Sequence, residues 1–133
     1  MISAQDRVAA ELAINQLVQR YAQAVDVLGG AAQAACFTPD GYFQLSSGAR
    51  RDRAAMAASA PPGDVRRRHF FMAPLIAFES ADTASGTGFC LILEFDPATG
   101  AQGPPLSVDY RDEYRRTDEG WLFASRVVTR SFG

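Results

Sequence analysis

From residue 6 to residue 28 the apolar side chains Val8, Leu12, Ile14, Leu17, Val18, Tyr21, Val25 and Leu28 recur largely three and four apart. That spacing predicts an amphipathic helix laid on a core, ended by Gly29 and Gly30. A short second helix is predicted over "AAQAACF", a turn at "TPDG" and a short strand at "YFQLSS". A third helix is expected from 52 to 59, stopped by Pro61 and Pro62. The pattern then turns extended, with stretches at 66–79, 83–95, 106–116 and 121–132 rich in β-branched and aromatic residues. Their separators, "SAD", "DPATGAQGPP" and "TDEG", carry turn chemistry. Helices first and antiparallel strands afterwards predict an α+β fold, a curved sheet wrapping the early helices.

The clearest alternation is in "SVDYRDEYRR", where Val108, Tyr110, Asp112 and Tyr114 share one strand face. Asp112 thus falls on the apolar face, where a carboxylate must be paired, hydrogen-bonded or kept neutral. Two roles stay open for it, a structural hydrogen-bond hub or a cavity acid with a raised pKa. At 100° per residue Asp26 falls about 140° from Tyr21, which predicts a solvated aspartate. A negative charge in a helix's last turn is mildly destabilising, so either the helix loosens before Asp26 or something else favours it there. His69 is the only histidine. Strand parity groups it with Phe71, Ala73 and Leu75, against Phe70, Met72 and Ile76 on the other face, and alternation leaves open which side is inside.

At 133 residues the chain is one domain's worth. Its 13 basic residues are all arginine, which excludes lysine Schiff-base chemistry. A net charge of −2 lacks the footprint of a nucleic-acid binder despite Arg66, Arg67 and Arg68. Cys36 and Cys90 cannot build a disulfide framework, and no apolar run has signal or membrane-span length. The expectation is a reduced, cytoplasmic protein with no membrane partner. One histidine and two distant cysteines offer no zinc spacing, and no phosphate loop, nucleophile elbow or dinucleotide fingerprint is present, so no metal or cofactor is expected. Acid and base work by His69, carboxylates and tyrosines remains.

Four stretches in order, "LVQRYAQAVD", "CFTPDGYF", "RHFFMAPLIAFESADTASG" and "YRDEYRRTDEGWLFASR", resemble the SnoaL-like group of the nuclear transport factor 2-like superfamily. The resemblance spans nearly the whole chain and implies a cone-shaped α+β fold. Within that group, scytalone dehydratase, lindane dehydrochlorinase and the bile-acid dehydratase pair an Asp that closes the first helix with a His that opens a long strand. "AVD" and "RHFFMA" match these at Asp26 and His69. Tyr21 matches a tyrosine of the bile-acid dehydratase and resembles the oxyanion-stabilising tyrosine of ketosteroid isomerase, whose protonated acid Asp112 resembles. That isomerase's base position falls at Leu45, which takes no proton. Ala73 stands where many relatives have asparagine, and the bile-acid dehydratase's strand carboxylate falls near Ile92.

The resemblance implies a cofactor-independent lyase or isomerase, by elimination, isomerisation or cyclisation, on a hydrophobic, cyclic or aromatic small molecule. Asp26 would fix the His69 tautomer, His69 would take a proton from carbon, and Tyr21 or a neutral Asp112 would donate to developing charge. Tyr42, Phe43, Met56, Phe71 and Phe89 are expected to shape the cavity. Arg126 and Arg130, on one strand face with Leu122, are placed either on an acidic substrate group or at an exposed sheet edge. The same fold also serves as a non-catalytic binding or assembly module, such as dioxygenase β subunits, and fold alone does not choose. Self-association as a dimer or trimer through the outer sheet face is the family expectation.

Overall fold

The computed structural model describes residues 1–59, 63–64 and 66–132. The chain runs α1 (Ala4–Gln23), a π-helical turn (Ala24–Leu28), α2 (Gly30–Ala34), β1 (Phe37–Gln44), β2 (Arg50–Asp52) and α3 (Arg53–Ala57). It continues as β3 (Arg66–Phe71), β4 (Leu75–Phe78), β5 (Thr83–Asp96), β6 (Ala101–Gln102), β7 (Leu106–Thr117) and β8 (Gly120–Arg130). The expected stop at Pro61 and Pro62 lies outside the described residues.

Ser3 caps α1, its hydroxyl accepting the Asp6 N–H at 3.1 Å. Ala10, Ile14, Leu17, Val18 and Tyr21 form the buried face of the helix. Val8, Leu12 and Leu28, counted in the apolar stripe by spacing, are instead exposed, because the stripe is broader than the face the sheet covers. Gly30 lets α2 and α3 meet, since a Cβ there would lie 2.1 Å from the Met56 carbonyl oxygen. Asp52 caps α3 by accepting the Ala55 N–H at 2.8 Å.

The strands form one curved sheet in the order β2-β1-β8-β7-β5-β3, with β4 and β6 also paired to β5. All pairings are antiparallel except β1 with β8. The expected α+β architecture is therefore present, with two differences of detail. "TPDG" is not a free turn: it lies inside β1 and interrupts the pairing with β8 between Phe37 and Tyr42. The stretch 66–79 is two strands, broken around Pro74, whose ring removes a ladder donor. Tyr114 pairs with Phe123 but Glu113 pairs with Ser125, so Ala124 is one residue extra in β8. This β-bulge brings both Phe123 and Arg126 to the inner face, and strict alternation, which grouped Arg126 with Leu122, misses it.

The core lies between α1 and the concave sheet face, where Tyr21 meets Phe37 and Phe123 at ring separations of 6.1 and 5.7 Å. On the convex face Phe70, Met72 and Phe89 are exposed. Among the described residues no helix is long and apolar enough to cross a membrane.

Candidate active site

The end of α1 builds the site. Over Ala24–Leu28 the helix widens into a π turn, closed by the Gly29 N–H donating to the Ala24 carbonyl at 2.8 Å. In such a turn the hydrogen bond spans five residues instead of four, so each residue advances by less than the α-helical 100°. Asp26 sits inside this widened turn, which lags the 100° α-helical step and rotates it back from the solvent side toward the cavity that Tyr21 also lines. The solvated aspartate predicted from α-helical phase is corrected by this local change of winding. Gly29, at φ 102°, then turns the chain away.

Asp26 binds one residue of β3 twice. Its Oδ1 lies 2.6 Å from His69 Nδ1, and its Oδ2 accepts the His69 backbone N–H at 2.7 Å. β3 ends the sheet path, so that N–H has no further strand to pair with and the carboxylate takes the strand's place. The two side chains are only 4% and 10% exposed, Asp26 the more buried. A carboxylate only accepts, so Nδ1 carries the proton, and in the neutral form of the ring the lone pair is on Nε2. Phe71 stacks on the imidazole at 6.0 Å and 13°, fixing its plane.

Both residues line a cavity of about 780 Å³, in the range that holds a small molecule. Tyr21, Tyr110, Ile92 and Leu106 form much of its apolar wall, with Phe43, Leu45 and Val128 on the β1 and β8 side. Burial pushes the Tyr21 phenol well above its ordinary range, with Arg126 pulling partly the other way. Burial likewise raises Tyr110. Both phenols therefore stay protonated and able to donate.

Asp112 is the hub of a sealed cluster. It accepts from Arg126 Nε at 2.8 Å, Arg126 Nη2 at 3.0 Å and the Tyr114 hydroxyl at 2.9 Å. Those bonds occupy it as an acceptor beneath the cavity floor, so the expectation of a neutral donor facing substrate is corrected. Arg126, expected on substrate, is the same cluster's cation, boxed by the rings of Tyr110, Phe123, Tyr21 and Phe71 at 4.2 to 4.9 Å. Its Nη1 has no hydrogen-bond partner, and the surrounding π faces take that role.

The other expected cavity residues divide. Phe43 lines the cavity. Phe71 supports it from behind the imidazole. Tyr42 points to the opposite face of β1, under Arg50 at 4.2 Å, because it alternates with Phe43. Met56 is wholly buried in the core. Phe89 is 64% exposed on the convex face, one residue out of phase with the inward Cys90. Tyr110, Gln33 and Arg51 line the cavity without having been singled out. Parity had already put Tyr110 on the apolar face with Asp112; its height along the strand was missing. Among the described residues no three His, Cys, Asp or Glu side chains cluster as metal ligands.

Residues 6–127 match the SnoaL-like domain, and the chain belongs to that family. Among solved structures it is similar to a type 2 hexachlorocyclohexane dehydrochlorinase, at 21% identity and a TM-score of 0.82, covering 98% of this chain and 90% of that one. An NTF2-like protein with a cystatin-like fold from Novosphingobium aromaticivorans gives 23% identity and a TM-score of 0.83 over 96% and 85% of the two chains. ActVI-ORFA from Streptomyces coelicolor is 27% identical, with a TM-score of 0.77 over 94% and 98%. No curated protein matches by sequence comparison.

Proposed function

We propose that the protein is a cofactor-independent lyase or isomerase acting on a hydrophobic cyclic small molecule, with Asp26 and His69 as its catalytic dyad. The observation that carries this reading is the pair of hydrogen bonds joining Asp26 to His69, at 2.6 and 2.7 Å, on the wall of a cavity that mixes apolar and polar side chains. His69 Nε2 takes a proton from substrate carbon while Asp26 stabilises the imidazolium. In an elimination the C–H electron pair becomes a C=C bond as the adjacent bond to the leaving group breaks. A departing hydroxide collects the proton from His69 and leaves as water. In an isomerisation the pair moves onto a carbonyl oxygen, and His69 returns the proton to another carbon. Tyr21 donates a hydrogen bond to the oxygen on which charge grows. Leu45 and Ile92 on the cavity wall favour an apolar ring system. A dehydrochlorinase among the structural neighbours, itself an eliminating enzyme by name, agrees with this class. Self-association through the convex face belongs to the same proposal, supported by exposed Phe70, Met72 and Phe89.

The test needs no knowledge of the natural substrate. Exchange of the α-protons of 2-tetralone in D2O, followed by NMR, is expected with the native protein. It should fall by roughly 10²–10⁴-fold in His69→Ala and in Asp26→Asn. Full exchange activity in a folded His69→Ala protein sinks the dyad and leaves a binding module.

A further inference from the structure

β3, β5, β7 and β8 pair residue for residue here, so the concave face can be read in rows. Phe71, Cys90, Val108 and Arg130 form one row, and His69, Ile92 and Leu106 form the next. Arg130 thus stands three strand spacings from β3, about 14 Å along the sheet, and one inward-facing row from His69. Beyond β8, Phe43 of β1 pairs with Arg126, two inward-facing rows from Arg130, and on its other side with Arg51 of β2. Arg51 and Arg130 both line the cavity, on the wall across from the dyad.

The charges of that lining do not balance. Among the described residues it holds the acids Asp26 and Glu94 and the bases His69, Arg51, Arg67 and Arg130. Asp26 is engaged by His69, and Glu94 by Arg67 at 3.0 Å. Arg51 and Arg130 keep no ion-pair partner among the described residues, on a chain whose net charge is −2. Two guanidinium groups on one wall of the cavity set a positive potential there, and their forked donors match an anionic oxygen group.

Resting on the assignment of the reaction to His69, we propose that this cavity takes a hydrophobic carboxylate, its anionic end held by Arg130 and Arg51 and its rings reaching back to the dyad. Isothermal titration of 2-naphthoate against its neutral isostere 2-naphthamide tests this. In the native protein the carboxylate binds about tenfold more tightly, and added salt shrinks that margin. The Arg51→Gln/Arg130→Gln double variant, its fold checked by near-UV circular dichroism, binds the two probes alike, while His69→Ala keeps the preference. Equal affinities in the native protein, no binding of 2-naphthoate, or a preference that survives the double variant and disappears in His69→Ala each overturn the assignment. The titration needs no turnover, so an idle dyad leaves it standing. A cavity indifferent to charge leaves the proton-exchange test standing.

Discussion

Asp26 and Asp112 each face a basic side chain at close range, yet the protein uses the two carboxylates in opposite ways. Asp112 meets Arg126 through two nitrogens, one on each oxygen, with both side chains about 1% exposed and the Tyr114 hydroxyl also donating to Oδ2. Arg126 is never neutral there, because Asp112 and the neighbouring tyrosines more than offset the opposing effect of burial on its pKa. Asp26 meets a side chain that can gain and lose a proton, at a cavity wall. The same acid therefore makes a fixed ion pair under the floor and a pair with an imidazole at the cavity wall above it. The partner and access to the cavity decide which.

The largest expected effect breaks the sealed pair. Asp112→Ala strands the Arg126 charge in the core and costs about 3–5 kcal/mol, read from urea unfolding. Asp112→Leu with Arg126→Met recovers most of that loss, because it removes both charges together. A double variant as unstable as the single one would mean that the pair is not the hub described here. On the cavity side, Tyr21→Phe removes a hydroxyl that the core does not need. It is expected to slow 2-tetralone exchange by roughly 10²-fold while shifting the unfolding midpoint little. A smaller effect comes with pH. Burial raises the Cys90 thiol from 9.0 to about 12 and raises Tyr21, Tyr110 and Tyr114 as well. The unfolded chain ionises these groups first, so stability is full below about pH 9 and falls as pH rises toward 12. Cys90 alone contributes on the order of 1 kcal/mol or less of this loss by pH 10. A thermal midpoint unchanged between pH 8 and pH 10 contradicts it.

Much of the fold was legible in the sequence because its signals are local. The three-and-four spacing of Ile14, Leu17, Val18 and Tyr21 and the alternation around Tyr110 each need only a few neighbouring residues. Asp26 and His69 were legible through the resemblance and not through periodicity, since a regular 100° step turns Asp26 to solvent, whereas the chain winds wider there and bonds Asp26 to His69. Arg126 illustrates the remaining gap. Its place on β8 depends on the bulge at Ala124 and on Asp112 across the strand pair, two facts of register that no single stretch contains. Phe89 was misplaced for a related reason: an apolar side chain on a strand open on both sides carries no mark of which face is concave.

The bond from Asp26 Oδ2 to the His69 N–H has a further consequence, for solubility. β3 would otherwise present that backbone donor as an open edge to which a strand of another molecule could add. The carboxylate caps it, so Asp26 is expected to limit aggregation as well as to hold His69 in place. Asp26→Asn keeps an oxygen to cap the edge, whereas Asp26→Ala leaves it bare. The alanine variant should therefore aggregate at concentrations where the asparagine variant stays dispersed, even when both are equally inactive.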